Sequence, residues 1–96
     1  MLELRSSCEH CAASLPPNST EARICSFECT FCRSCVETLL QNVCPNCGGG
    51  FESRPVRPAA MVSKYPPRAD RVQQPVDEVR FAPLRTKNRL VPPPLR

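Results

Sequence analysis

Eight cysteines in four closely spaced pairs constrain this chain more than any other feature of its sequence. The pairs are Cys8-x2-Cys11, Cys25-x3-Cys29, Cys32-x2-Cys35 and Cys44-x2-Cys47, and the stretch ICSFECTFCRSC, residues 24–35, holds four thiols by itself. A C-x-x-C turn brings both sulfurs to one ion while nearby backbone N–H groups donate to the thiolates. In CPNCGG, Pro45 restricts the backbone after the first sulfur and Gly48 relieves strain after the second. Zinc takes four ligands in a tetrahedron, and sites made of four cysteines are closed and structural. Eight thiolates therefore imply two Zn(2+) ions.

The rest of the composition points the same way. Only 41% of the 96 residues are hydrophobic, with four Phe, one Tyr and no Trp, so a self-sufficient core is hard to build. Small domains with weak cores rely on disulfides or metals. The opening MLELRSSCEHC has no basic segment followed by a long apolar run, so no signal peptide is expected. No apolar stretch has the length of a membrane span. The expectation is a cytoplasmic chain without a membrane partner, in a reducing compartment where thiols bind metal and do not persist as disulfides. A redox C-x-x-C usually occurs singly beside a βαβ pattern, which is absent. Iron–sulfur runs place three close cysteines on one cluster, whereas here pairs repeat across the whole module.

The chain divides near residue 58. All eight cysteines lie between Cys8 and Cys47, and nine of the twelve prolines follow residue 47. Residues 1–47 carry a formal −2 and residues 48–96 a formal +6. Residues 1–58 thus read as the two-zinc module. Residues 59–96 read as a basic, Pro-rich extended or disordered tail with no periodic apolar face. Within the module, LPPNST is a loop, ICSFECTF suits a short β-hairpin, and CVETLLQNV from Cys35 is the one helix candidate. Val36, Leu39, Leu40 and Val43 fall on one face of that helix, and its N-terminus favours an adjacent anionic cluster. With Leu15, Ile24, Phe27 and Phe31 they read as a miniature core beneath the metals.

Two pairings of the ligands are open. Sequential sharing joins Cys8/Cys11 to Cys25/Cys29 and Cys32/Cys35 to Cys44/Cys47. Interleaved sharing joins Cys8, Cys11, Cys32 and Cys35 in site 1, and Cys25, Cys29, Cys44 and Cys47 in site 2. Only Thr30 and Phe31 separate Cys29 from Cys32, and each extended residue advances the chain by about 3.3 Å. Sequential sharing would crowd two anionic centres with little apolar material between them, which favours interleaving.

The full pattern, C-x2-C-x13-C-x3-C-x2-C-x2-C-x8-C-x2-C, resembles the RING finger consensus, with Cys29 where RING domains usually have His. The resemblance implies a small α+β zinc-stabilised fold of RING-like, treble-clef cross-brace type, with one hairpin and one helix. It also favours interleaving. More narrowly, LPPNSTEARICSFECTFCRSC with CPNCGG and RPVRPA looks like a family of short bacterial cysteine-rich proteins of unassigned function, from about residue 2 to about residue 75. That likeness implies a zinc-binding module and supplies no activity. RING ligases dock a conjugating enzyme on an apolar groove. Of the groove positions, Pro45 fits, Leu39 fits in part, and His10 and Gly48 depart from the pattern.

No catalytic residues are expected. The sequence has no Ser/His/Asp grouping, no phosphate-binding loop and no open metal position, and no small-molecule substrate is implied. His10, the single histidine, lies inside the first knuckle and is expected to point away from the metal, since eight thiolates fill two sites. The leading expectation is a non-catalytic structural zinc module that mediates interaction with a macromolecule, most simply a protein. One alternative is a nucleic-acid-binding regulator that uses the basic tail, with Tyr65 and Phe81 beside Lys64 and Arg80. Another is a RING-type ubiquitin ligase. Charge weighs on the first alternative: two zinc centres with four thiolates each take residues 1–47 from −2 to about −6, which the +6 of the tail balances.

Overall fold

ARICSFECTFC interleaves apolar and β-branched residues with its cysteines. In the computed structural model, which describes residues 1–96, it forms a hairpin. Strand β1 (Ala22–Ile24) pairs antiparallel with β2 (Thr30–Cys32), in the register Ala22 with Cys32 and Ile24 with Thr30. The connection is closed by Cys25 N–H to Cys29 O at 3.2 Å and Glu28 N–H to Cys25 O at 3.0 Å, with Glu28 in the left-handed region at φ 66°. A short strand β3 (Glu52–Ser53) adds to the other edge of β1, giving the order β2-β1-β3.

The helix differs from its expected span. α1 (Arg33–Cys35) begins two residues before Cys35 becomes available as a start, and continues as a π-helical turn over Val36–Leu40. It ends there because Gln41 and Asn42 are left-handed, at φ 50° and 60°. Both of their N–H groups close onto Val36 O, a wide helix terminus that satisfies a carbonyl otherwise left open. Val43 is fully buried, but it arrives by this turn and not by helical spacing. The core holds Leu15, Phe31, Val36, Leu40, Val43 and Phe51 among six of the cysteines, and Phe31 meets Phe51 edge to face at 5.6 Å. Ile24 and Leu39 are half-buried, and Phe27, expected in the core, is 72% exposed at the hairpin tip.

The expectation of one helix and an extended or disordered tail is corrected by residues 59–96. They form α2 (Ala59–Val62), α3 (Glu78–Asn88) and a 3-10 turn (Pro93–Leu95). α3 carries ordinary terminal signals. The Asp77 carboxylate accepts from Val79 and Arg80 N–H, Glu78 lies in the first turn, and Arg85 and Lys87 lie in the last. Pro83 within it and the lack of an apolar stripe conceal it, since only Phe81 and Asn88 of this helix are buried. Phe81 joins the same hydrophobic cluster as the cysteines, and Val76 and Leu84 pack against that cluster. The tail therefore gains its helix from tertiary packing on the module.

Polar side chains stiffen what a small core cannot. Arg54 is buried, and its guanidinium donates to Arg5 O, Leu15 O and Pro16 O at 2.8, 3.1 and 2.8 Å. Arg57 ties Leu2 O to Tyr65 O. Glu9, 2% exposed, accepts from Arg5 at 2.8 Å and from Thr30 N–H, which locks the first cysteine knuckle to β2. Burial opposes protonation of the Arg5 guanidinium, but the bonds it donates to Glu3 and Glu9 hold its pKa above the ordinary value. Removing Glu9 leaves Arg5 paired with Glu3 but strips the buried Thr30 N–H of its acceptor, a cost of about 1–3 kcal/mol. Glu9→Ala is expected to destabilise the metal-loaded protein by that order in guanidinium unfolding, and Arg5→Ala with Glu9→Ala by less than the two singles summed.

Candidate metal centre

The first knuckle is shaped by its own backbone. Cys8 N–H bonds Ala13 O at 2.9 Å and Ala12 N–H bonds Cys8 O at 3.0 Å, with Ala12 left-handed at φ 63°. A bridge between Ser7 and Ser14 closes its base. Opposite it, Cys32 ends β2 and Cys35 ends α1, so the strand-to-helix corner presents both sulfurs on one side. The sulfurs of Cys8, Cys11, Cys32 and Cys35 all lie within 4.8 Å of one another. Cys11 Sγ and Cys32 Sγ are 3.7 Å apart. A tetrahedron of sulfurs about 2.3 Å from a zinc ion has edges of about 3.8 Å, whereas a disulfide would need about 2.05 Å. All eight cysteines are free thiols.

The second group forms where the hairpin tip meets the last knuckle. Cys44 N–H bonds Gly49 O and Gly48 N–H bonds Cys44 O, each at 2.8 Å. The sulfurs of Cys25, Cys44 and Cys47 lie within 4.8 Å of one another. Cys29 lies beside this trio without entering it: Asn46 Nδ2 donates to its sulfur at 3.4 Å, and Cys25 and Cys44 act on its ionisation. Phe27 N–H points at Cys25 Sγ and Gly49 N–H at Cys47 Sγ, at 3.3 and 3.4 Å. Such N–H groups stabilise thiolates. The structure thus brings together seven of the eight expected ligands in two groups that alternate along the chain, with the eighth adjacent.

The donor set suits a thiophilic divalent cation. Burial pushes the thiols of Cys29, Cys32, Cys35 and Cys44 up, those of Cys35 and Cys44 furthest. Cys11 is the exception. Burial pushes it up too, but a bond at the Ala13 backbone and the sulfurs of Cys8, Cys32 and Cys35 bring it below the ordinary thiol value. Without a cation, these sites hold protons; with one, the protons must leave. Metal binding is therefore expected to release protons and to weaken as the pH falls from 8 towards 6.5, measured by competition with a chromophoric chelator.

His10 takes no part in the sulfur groups. Its Nδ1 accepts from Val76 N–H at 2.9 Å and its carbonyl accepts from Gln73, so the first knuckle is also a docking point for the tail. The last knuckle is another. Asn88 Nδ2 and Arg96 Nη1 both donate to Gly48 O at 3.1 Å, and Arg85 Nη1 donates to Leu39 O at 3.0 Å. These supporting residues carry no motif, and only the Asp-Glu start and basic end of α3 marked them in the sequence. Gly48 is required twice over: its φ is +76°, and a Cβ there would lie 2.8 Å from Asn88 Nδ2. Gly48→Ala is expected to lower stability by about 1–2 kcal/mol in denaturant unfolding.

Fold and sulfur geometry together define a small cysteine-rich α+β protein with two groups of sulfurs that could hold metal ions. No helix is long and apolar enough to cross a membrane. Residues 1–57 match the family described as "Protein of unknown function (DUF1272)", and the chain belongs to that family. It is also 57% identical over 75 residues to "Uncharacterized protein R02474" of Rhizobium meliloti (strain 1021), covering 78% of this chain and 89% of that protein. No solved structure matches this chain.

Proposed function

We propose that this chain is a non-catalytic structural zinc module that presents a surface to another protein in the cytoplasm. One zinc ion would be held by Cys8, Cys11, Cys32 and Cys35, and a second by Cys25, Cys29, Cys44 and Cys47, in a RING-like cross-brace. The observation that carries the reading is the alternation of the two sulfur groups along the chain, with a sulfur–sulfur distance of 3.7 Å in the first. The ions would supply structure and no reaction, because four thiolates leave no open position for substrate.

A protein partner is favoured over nucleic acid by what the cationic side chains do. Arg54, Arg57, Arg85 and Arg96 donate to carbonyls of the fold, and Arg68 pairs with Asp70 and Glu3. These charges serve internal bonds, which leaves Lys64, Arg71, Arg80 and Lys87 as the unpaired cations of the tail.

Native mass spectrometry of protein purified without added metal is expected to give two zinc ions per chain, and circular dichroism after chelation is expected to show loss of fold. Structural zinc contributes on the order of 10–16 kcal/mol per site in small zinc peptides, above the net stability of most domains. An unchanged fold after complete metal removal would overturn the proposal.

A further inference from the structure

α3 is a poor fit to the surface that holds it. It is 11 residues long with Pro83 inside, too short and too interrupted to be helical alone. It lies over a groove whose floor includes Phe31 and Pro45, and fills it with Phe81 and, in part, Val76 and Leu84. A cleft of about 290 Å³ remains between its first turn and the last knuckle. Unfilled space of this kind forfeits dispersion contacts that a better-shaped occupant would make.

The polar rim of the groove is also specific. Leu39 O and Gly48 O accept from Arg85 and Asn88, one and two turns along the helix from Phe81. The module side is anionic, at −2 over residues 1–47 before any thiolate is counted. Residues 65–77 between α2 and α3 contain no helix or strand and include Pro66, Pro67 and Pro75; they are tied by Arg57 at Tyr65, by Arg68 to Glu3 and Leu4, and by Gln73, Gln74 and Val76 at the first knuckle. α3 makes no backbone hydrogen bond to β1, β2 or β3, and its hold on the sheet is the packing of Phe81 in the core that contains Phe31.

The geometry points to α3 as an intramolecular stand-in for a partner, with the groove as the docking site of a basic amphipathic helix from another protein. That helix would carry large apolar residues at i and i+3 and donor side chains at i+4 and i+7, the pattern of Phe81, Leu84, Arg85 and Asn88. This inference rests on the interaction-module reading above and identifies its surface. A tethered α3 competes at an effective concentration on the order of millimolar, so the partner must fit better than α3 does or meet a chain whose α3 has been released.

The test uses the full chain and a fluorescent peptide of residues 74–90 as probe. The full-length double variant Phe81→Ala, Leu84→Ala is expected to keep two zinc ions by native mass spectrometry and to bind the peptide at least tenfold more tightly than the unaltered chain. A probe with Pro83→Ala is expected to bind more tightly still. Arg85→Glu in the full chain is a second way to release α3, should the double variant lose its metal. Retained metal with no gain in peptide binding overturns the inference while leaving the zinc reading intact. Metal loss in both variants overturns it by making α3 part of the metal fold, and a dimeric mass for the unaltered chain overturns it by naming a second copy as the occupant. Absence of zinc from the unaltered chain would instead defeat the underlying reading.

Discussion

Everything else in this structure depends on how the sulfur pairs converge from four short pieces of backbone. The hairpin has three-residue strands and the helix is two turns long, and neither is stable alone. The first group of sulfurs draws on the N-terminal knuckle and the corner between β2 and α1. The second draws on the hairpin tip and the knuckle that follows the π-helical turn. Phe31, Val36 and Leu40 pack in one cluster with six of the cysteines, so the apolar core is small and shares its residues with both sulfur groups.

Around that frame, buried polar groups do work that larger domains assign to aliphatic side chains. Arg54 gathers three carbonyls from residues 5, 15 and 16 and has no carboxylate partner. Burial, with Arg57 nearby, lowers its pKa below the ordinary guanidinium value, yet it stays protonated at neutral pH. Its Nε is buried without a partner, a cost borne by the local fold. The Arg5–Glu9–Thr30 connection performs a similar service between the first knuckle and β2. A chain with a fuller core would not need charged groups in these positions.

The tail shows how weak local signals become structure when a surface is available. Its bonds run to carbonyls and side chains of both knuckles: Val76 to His10, Asn88 and Arg96 to Gly48, and Arg96 also to Asn42. This position makes residues 73–96 a strap across the module. The same contacts satisfy acceptors that the sharp turns at Gly48 and Asn42 leave facing outward. Arg85 and Arg89 reach the module in the same way, at Leu39 O and Gln41 Oε1.

Sequence alone determined the cysteine pairs, the hairpin between residues 22 and 32, the start of the helix near Cys35 and the turn at CPNCGG. Each of these follows from spacing within about ten residues, where sterics and turn chemistry act directly. The family likeness was legible for the same reason, since it resides in those motifs. Tertiary structure decided the rest. Leu40 ends the helix because Gln41 and Asn42 turn left-handed to bury Val43, and Cys29 sits beside its group with Asn46 Nδ2 donating to its sulfur. α3 exists because Phe81 finds the core, which no local pattern around Pro83 encodes. Short-range geometry is written residue by residue, whereas a marginal helix or a fourth sulfur is placed by surfaces that form only when distant segments meet.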